Sequence, residues 1–411
     1  MTKLGPESAL PRIALVTSGF GVGGGVPTVA RWLRASLSHS GYLVDVHDLA
    51  TSSRDPYSRR LLEPRSWVRR SLRNRTGDED SVVNWGANAV EIETMRYRRR
   101  RELSKVLQTY DLIQVVAGSP ALASAVIGTG VPVVLQVATT VNWERGWHLA
   151  HQTGVRRIWR RTMTLLTTRI ERRALREVDA VLVENTDMLE FVRSSGQDRA
   201  IKAPPGVDTS VFSPPNTGWR REGYLLSVCR LNDPRKGLER MIHAYAMMLQ
   251  LDDSVPPLLL AGRGELPGPL LGLVVNLGLS SRLTLRPNVD PGHLADLYRC
   301  ASVFLQTSYE EGLGMSVLEA MASGLPVVST DTAGSREAVA NGVTGWLVPQ
   351  RNDTAVPSIV ANRVLDVLRG DGQAIGRRAR ERCEQNFSSE VALLPFIRVY
   401  DDLIRRPTSS G

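Results

Sequence analysis

The chain is short of lysine, cysteine and long apolar runs, and each shortage narrows what it can be. Four of the 51 basic residues are Lys (Lys3, Lys105, Lys202, Lys236), an arginine bias that reflects genome composition more than chemistry. Three cysteines (Cys229, Cys300, Cys383) show no CxxC or Cys/His spacing. They read as reduced thiols in a cytoplasmic protein, with no zinc site. No stretch approaches the roughly 20 apolar residues that span a bilayer. Met1 to Pro11 lacks the apolar core of a signal peptide. The net charge of +9 comes without a helix-turn-helix, RNA-binding or zinc-finger pattern. Nucleic acid is therefore not expected as a partner, which leaves anionic membrane or phosphorylated substrates.

At 411 residues the chain is too long for one ordinary core. In the first half, apolar runs at Ile13–Thr17, Leu43–Asp48, Leu112–Val116, Val133–Val137 and Ala180–Glu184 alternate with amphipathic stretches such as Thr28–Leu37 and Arg169–Arg176. The second half repeats the pattern. Its strands are expected at Tyr224–Val228, Leu258–Ala261, Leu283–Leu285, Val303–Gln306 and Val327–Ser329, with helices at Leu238–Gln250, Leu294–Arg299 and Val317–Ser323. Alternation of this kind predicts two α/β domains with parallel sheets, whose ligands bind at the carboxyl ends of the strands. The turn-rich stretch from Ala203 to Asp208 is the hinge candidate.

The most informative segment runs Ser308-Tyr-Glu-Glu-Gly-Leu-Gly-Met-Ser-Val-Leu-Glu319. A buried strand precedes it and a helix starts near Ser316, so unpaired N–H groups and a positive dipole end meet in a glycine-bearing loop, a natural anion site. Glu311 lies in that loop and Glu319 two helical turns on, about 10 Å away at roughly 1.5 Å per residue. In isolation two such glutamates are solvated charges. Here Arg230 also ends a strand and Lys236 follows six residues later, a fork and a point charge suited to a diphosphate. Gly262-Arg263-Gly264-Glu265 follows the next strand; alone it is a common tight turn.

This constellation, continued by Ala320-Met-Ala-Ser-Gly-Leu-Pro-Val-Val328, resembles the signature of glycosyltransferase family 4, densely from Tyr224 to Pro349 and in outline elsewhere. The resemblance implies the GT-B fold: two Rossmann-like domains facing each other across a deep cleft, 1–206 for the acceptor and 207–388 for the nucleotide-sugar, with 389–411 crossing back to the first. It also implies a retaining, metal-independent transferase using a UDP- or GDP-linked sugar as co-substrate, with no other cofactor. Carried over by position, Glu311 meets the donor sugar hydroxyls and Glu319 the ribose. The N–H groups of Met315, Ser316 and Val317, beside Gly312 and Gly314, meet the β-phosphate. Arg230 and Lys236 stabilise the leaving group, and Arg263 shapes the nucleotide pocket. No Asp-x-Asp pair stands in a suitable loop.

In the first domain, Gly19-Phe-Gly-Val-Gly-Gly-Gly25 follows the opening strand without the spacing of a dinucleotide fingerprint. The resemblance favours Gly24 and Gly25 as facing the diphosphate. Many family members carry a His after the strand Val133–Val137; this chain has Ala138. The residues left to line the acceptor pocket are Thr139, Trp143 and His148, with Asn142 and His151 as alternatives. Arg54–Arg75 is strongly basic, and the helix expected over 155–177 mixes Arg pairs with Ile158, Trp159, Leu165 and Leu166. Such a helix either lies on an anionic membrane or turns its apolar face to the core. Tyr97–Arg101 reads as a solvated helical face. The expected product is a cell-surface glycan or glycolipid, made in the cytoplasm or at the inner face of the membrane. The alternatives are glycosylation of a small secreted metabolite, a GT-B nucleotide-sugar epimerase and a non-catalytic member. An epimerase needs acid/base groups near the sugar, and the first domain offers no convincing set.

Overall fold

Runs of Val, Leu and Ile that are buried on both faces become parallel strands, because only helices packed on either side can cover them. The computed structural model describes residues 10–21, 24–53, 55–68, 73–76 and 82–405. The chain divides into two units, one reaching Ala203 and resuming at Leu393, the other Pro204–Ala392.

The first unit contains β1 (Arg12–Thr17), β2 (Leu43–Leu49), β3 (Arg73–Thr76), β4 (Val82–Trp85), β5 (Leu112–Ala117), β6 (Val133–Val137), β7 (Ala180–Val183) and β8 (Ala200–Lys202). They pair in the order β3-β4-β2-β1-β5-β6-β7-β8. All neighbours are parallel except β3, an antiparallel edge. The helix Ser389–Ile404 starts among residues of the second unit and ends in the first. There Phe396 packs edge-on against Trp32, and Tyr400 donates a 2.6 Å hydrogen bond to Gln114. Arg54 and residues 69–72 of the basic Arg54–Arg75 stretch lie outside the described residues. Tyr97–Arg100 is not a helical face. It links the helices Glu93–Arg96 and Arg101–Leu107, and Arg100 is buried, donating to the Arg96 carbonyl.

The second unit holds β9 (Tyr224–Arg230), β10 (Leu258–Arg263), β11 (Leu283–Pro287), β12 (Ala301–Gln306), β13 (Val327–Thr330) and β14 (Gly345–Val348), in the order β11-β10-β9-β12-β13-β14 and parallel throughout. Sequence patterning did not predict β14, because it opens on a glycine. The structure explains that glycine: a Cβ at Gly345 would strike the Val327 carbonyl of the next strand.

Gly237 is held still more tightly. Its φ is +61°, and a Cβ there would collide with the Thr307 carbonyl oxygen. Gly237→Ala is expected to lose more than about 1 kcal/mol of stability. Gly272→Ala has open space in the helix Gly268–Asn276 and is expected to gain about 0.5–1 kcal/mol. Denaturant melts of both variants check the contrast.

Candidate active site

β9 and β12 are neighbours, but the chain winds away from them in opposite directions, through β10 to β11 and through β13 to β14. Loops diverging at such a switch point leave a crevice at the carboxyl ends of the strands. β9 ends on Arg230 and the loop after it carries Asp233 and Lys236; the loop after β12 carries Ser308, Glu311, Gly312 and Gly314.

The two loops are tied together by charge. Lys236 Nζ lies 2.6 Å from Glu311 Oε1, and the same oxygen accepts a 2.7 Å bond from Ser308 Oγ. Both side chains of the pair are mostly buried, where either charge alone would be strongly destabilising. Glu311 Oε2 accepts no hydrogen bond from a described residue. Arg230, at the end of β9, donates to Asp233 at 2.7 Å and keeps a half-exposed side chain. Arg263 ends β10 exposed to solvent, and its carbonyl accepts the Leu231 N–H.

Gly314, at φ +84°, turns the chain into the helix Met315–Ala322. Val317 N–H already donates to the Gly314 carbonyl at 2.8 Å, which narrows the predicted anion donors. The N–H groups of Met315 and Ser316 have no partner among the described residues. Leu318 is fully buried in the second unit's core. Glu319 is buried too, and Tyr298 donates to its Oε2 at 2.7 Å. Burial pushes its carboxyl up to about 7, against the opposing effect of the Tyr298 hydroxyl.

In the first unit, Gly24 (φ +142°) caps the helix Gly25–His39, and its carbonyl accepts the Thr28 N–H. Val22 and Gly23 lie outside the described residues. Asp48 holds the start of this glycine loop, accepting the N–H groups of Gly19 and Phe20 at 2.6 and 2.9 Å. Thr139 is buried after β6, its N–H on the Gly118 carbonyl. Trp143, in the helix Val141–His151, stacks obliquely on Phe191. His148 belongs to that helix, but its side chain lies outside the described residues.

A residue that sequence patterning passed over is Glu171. It stands among arginines in the helix Gly154–Glu177, where a charge reads as a solvated face, yet it is buried. Its Oε1 accepts Ser119 Oγ at 2.7 Å, after β5, and Val141 N–H at 2.8 Å, after β6. Burial raises the carboxyl to about 7, opposed chiefly by those two hydrogen bonds and then by Arg145.

A raised carboxyl pKa means that the native state binds a proton the unfolded chain has released. Stability is therefore lost as pH rises from the ordinary carboxylate range through about 7. The loss is about 3 kcal/mol for a shift of this size. Glu171→Gln, which keeps an acceptor for both donors, is expected to flatten the fall in melting temperature between pH 5 and pH 8. Parallel curves for the two proteins would contradict the assignment.

The family described as Glycosyl transferases group 1 matches residues 214–386, the segment that holds Arg230, Asp233, Lys236, Arg263, Glu311 and Glu319. The D-inositol 3-phosphate glycosyltransferase of Frankia alni is 34% identical over 170 residues, 38% of this chain and 42% of that protein, so the match spans less than half of the relative's length. The MMP alpha-(1->4)-mannosyltransferase of Mycolicibacterium hassiacum is 27% identical over 343 residues, 80% and 79% of the two chains. Among solved structures, Anabaena HepE in complex with UDP superposes with a TM-score of 0.68 at 16% identity, covering 95% of this chain and 100% of that one. In fold the chain is therefore a GT-B protein, and over residues 214–386 it matches the glycosyl transferases group 1 family.

Proposed function

We propose that the protein is a retaining, metal-independent glycosyltransferase that moves a sugar from a UDP- or GDP-linked donor to a hydroxyl acceptor. The observation that carries this is the convergence, at one switch point, of Arg230, Lys236, Glu311, Glu319 and the N–H groups of Met315 and Ser316. The cations and the helix N-terminus receive the diphosphate and stabilise the charge that builds on it as the sugar departs. Glu311 Oε2 accepts a sugar hydroxyl and Glu319 the ribose hydroxyls. The leaving phosphate oxygen takes the acceptor proton on the face from which it departs, so no second catalytic carboxylate is required. Orientation of donor and acceptor supplies the rest of the rate. The cytoplasmic assignment and a cell-surface glycan or glycolipid product belong to the same proposal, with a small secreted metabolite as the other acceptor class.

Glu171 supports a second reading, a nucleotide-sugar epimerase, because it is a buried carboxyl in the first unit whose pKa of about 7 suits proton transfer. Incubation of UDP-N-acetylglucosamine in deuterated water separates the two: an epimerase exchanges a sugar carbon-bound proton and a transferase does not. A non-catalytic member is disfavoured by the intact donor residues.

The helix Gly154–Glu177 supports contact with anionic membrane. Val155, Ile158, Trp159 and Leu165 are exposed along it, beside the exposed Arg156, Arg157 and Arg161, while Met163, Thr164, Thr167 and Glu171 face inward. Among the described residues no helix is long and apolar enough to cross a membrane. The protein is expected to sediment with phosphatidylglycerol vesicles and not with phosphatidylcholine vesicles, and Trp159→Ala with Ile158→Ala to weaken that binding. Equal recovery with both lipids would count against a charged membrane surface.

The donor assignment is tested by thermal shift with UDP, GDP, ADP and their sugar conjugates. One base is expected to raise the melting temperature of the wild type and not that of Glu319→Ala. Because ribose hydroxyls donate to an ionised Glu319, affinity for the nucleotide-sugar is expected to fall as pH drops below about 7. No shift with any nucleotide would overturn the donor site.

A further inference from the structure

Asp233 has no place in the donor chemistry above, yet both its carboxylate oxygens and its carbonyl are engaged. Its Oδ2 lies 2.7 Å from Arg230 Nη2 and 2.9 Å from Arg235 Nη2. Its Oδ1 accepts the Arg235 backbone N–H at 3.1 Å and Arg235 Nε at 3.2 Å. Its carbonyl accepts the Lys236 N–H at 3.0 Å. One residue thus touches the first cation through its side chain and seats the second through the turn Pro234–Lys236, which it caps.

The two arginines it holds differ in what they are free to do. Arg235 is buried and also reaches Glu310 at 3.6 Å, so its charge is spent on the protein. Arg230 is half-exposed, and Asp233 is its one ion-pair partner among the described residues. A carboxylate that served only to cap the turn would be complete with Arg235 alone; the bond to Arg230 is additional. It holds a half-exposed guanidinium at the end of β9 with its charge partly neutralised.

We infer that Asp233 is a positioning residue for the diphosphate: it aims Arg230 into the crevice and competes with the incoming phosphate for that guanidinium. The competition has a direction. An ionised Asp233 keeps part of the Arg230 charge for itself, so the pair weakens the hold on the nucleotide while keeping the cation in place for the transferring bond. Affinity for diphosphate is given up for orientation, and product nucleotide leaves sooner. The inference rests on the donor reading given under Proposed function.

Isothermal titration with UDP and with inorganic pyrophosphate, which needs no knowledge of base or sugar, tests it on the full chain. Asp233→Asn keeps an oxygen for the Arg235 N–H and removes the charge. It is expected to bind both ligands about five- to tenfold more tightly than wild type, through slower dissociation, since a guanidinium released from its carboxylate gains about 1 kcal/mol or more of attraction to a phosphate a few ångströms away even with strong screening. Placing the substitution in an Arg230→Met background is expected to abolish most of the gain, because the gain runs through Arg230. Asp233→Ala, which also loses the cap, is expected to bind less tightly than Asp233→Asn. A scaffold residue predicts the opposite sign: weaker binding in both single variants. Unchanged or weaker binding by a folded Asp233→Asn, with wild type still binding UDP, overturns the inference alone. A wild type that binds neither UDP, GDP nor pyrophosphate overturns the donor reading and the inference with it.

Discussion

The second unit is organised around the ion pair between Lys236 and Glu311. Burial of an ammonium is tolerated only with a counter-charge at contact distance, and the counter-charge here comes from the loop on the far side of the switch point. Two segments 75 residues apart in sequence are thereby fixed to each other. Gly237 completes the fit, since only a residue without a side chain lets the first loop lie against the Thr307 carbonyl. The helix that starts at Met315 then has a defined place, and so do Glu319 within it and the Tyr298 hydroxyl that meets it.

A related device recurs at the carboxyl edge of each sheet. Asp48 accepts two N–H groups of the loop after β1, and Glu171 accepts an N–H after β6 and a hydroxyl after β5. Asp233 accepts an N–H in the loop after β9. Loops of this sort have backbone donors with no ladder to join. A carboxylate from outside the loop, or at its own start, satisfies them and fixes the loop at once. The cost is a desolvated charge, visible in Asp48 at about 6 and Glu171 at about 7. Asp233 escapes that fate: burial raises its carboxyl, but Arg235 and Arg230 outweigh it and hold it below the ordinary range.

Much of the second unit was legible in the chain because its chemistry is local. Strand, cation, turn, glycine and helix follow one another within a few residues, and spacing alone places Arg230 at a strand end, Lys236 and Glu311 in the loops beyond the strands and Glu319 within the helix that follows. What was not legible depends on partners remote in sequence. Glu171 is buried only because its helix packs against the turn Pro120–Ala125, and nothing in a run of arginines announces that. The same helix inverts the usual pattern, with Thr164, Thr167 and Glu171 inward and Val155, Ile158 and Trp159 outward, which periodicity detects as amphipathic without saying which face is which. Val317 was expected to present its N–H to an anion; a tight first helical turn uses that group internally, a detail of one dihedral angle at Gly314.

The helix Ser389–Ile404 has a practical corollary for anyone wishing to study the units apart. Phe396 and Tyr400 are fully buried parts of the first unit's core, delivered by the last residues of the chain. Stopping translation after Ala203 therefore leaves the first unit without two of its largest core side chains. Dissection needs a rearranged gene: a linker that joins the end of the first segment directly to Leu393, or co-expression of the terminal helix as a separate peptide. Evolution faces the same obstacle. A recombination event that exchanges only the front of the chain must find a new first half whose core still accepts the old final helix.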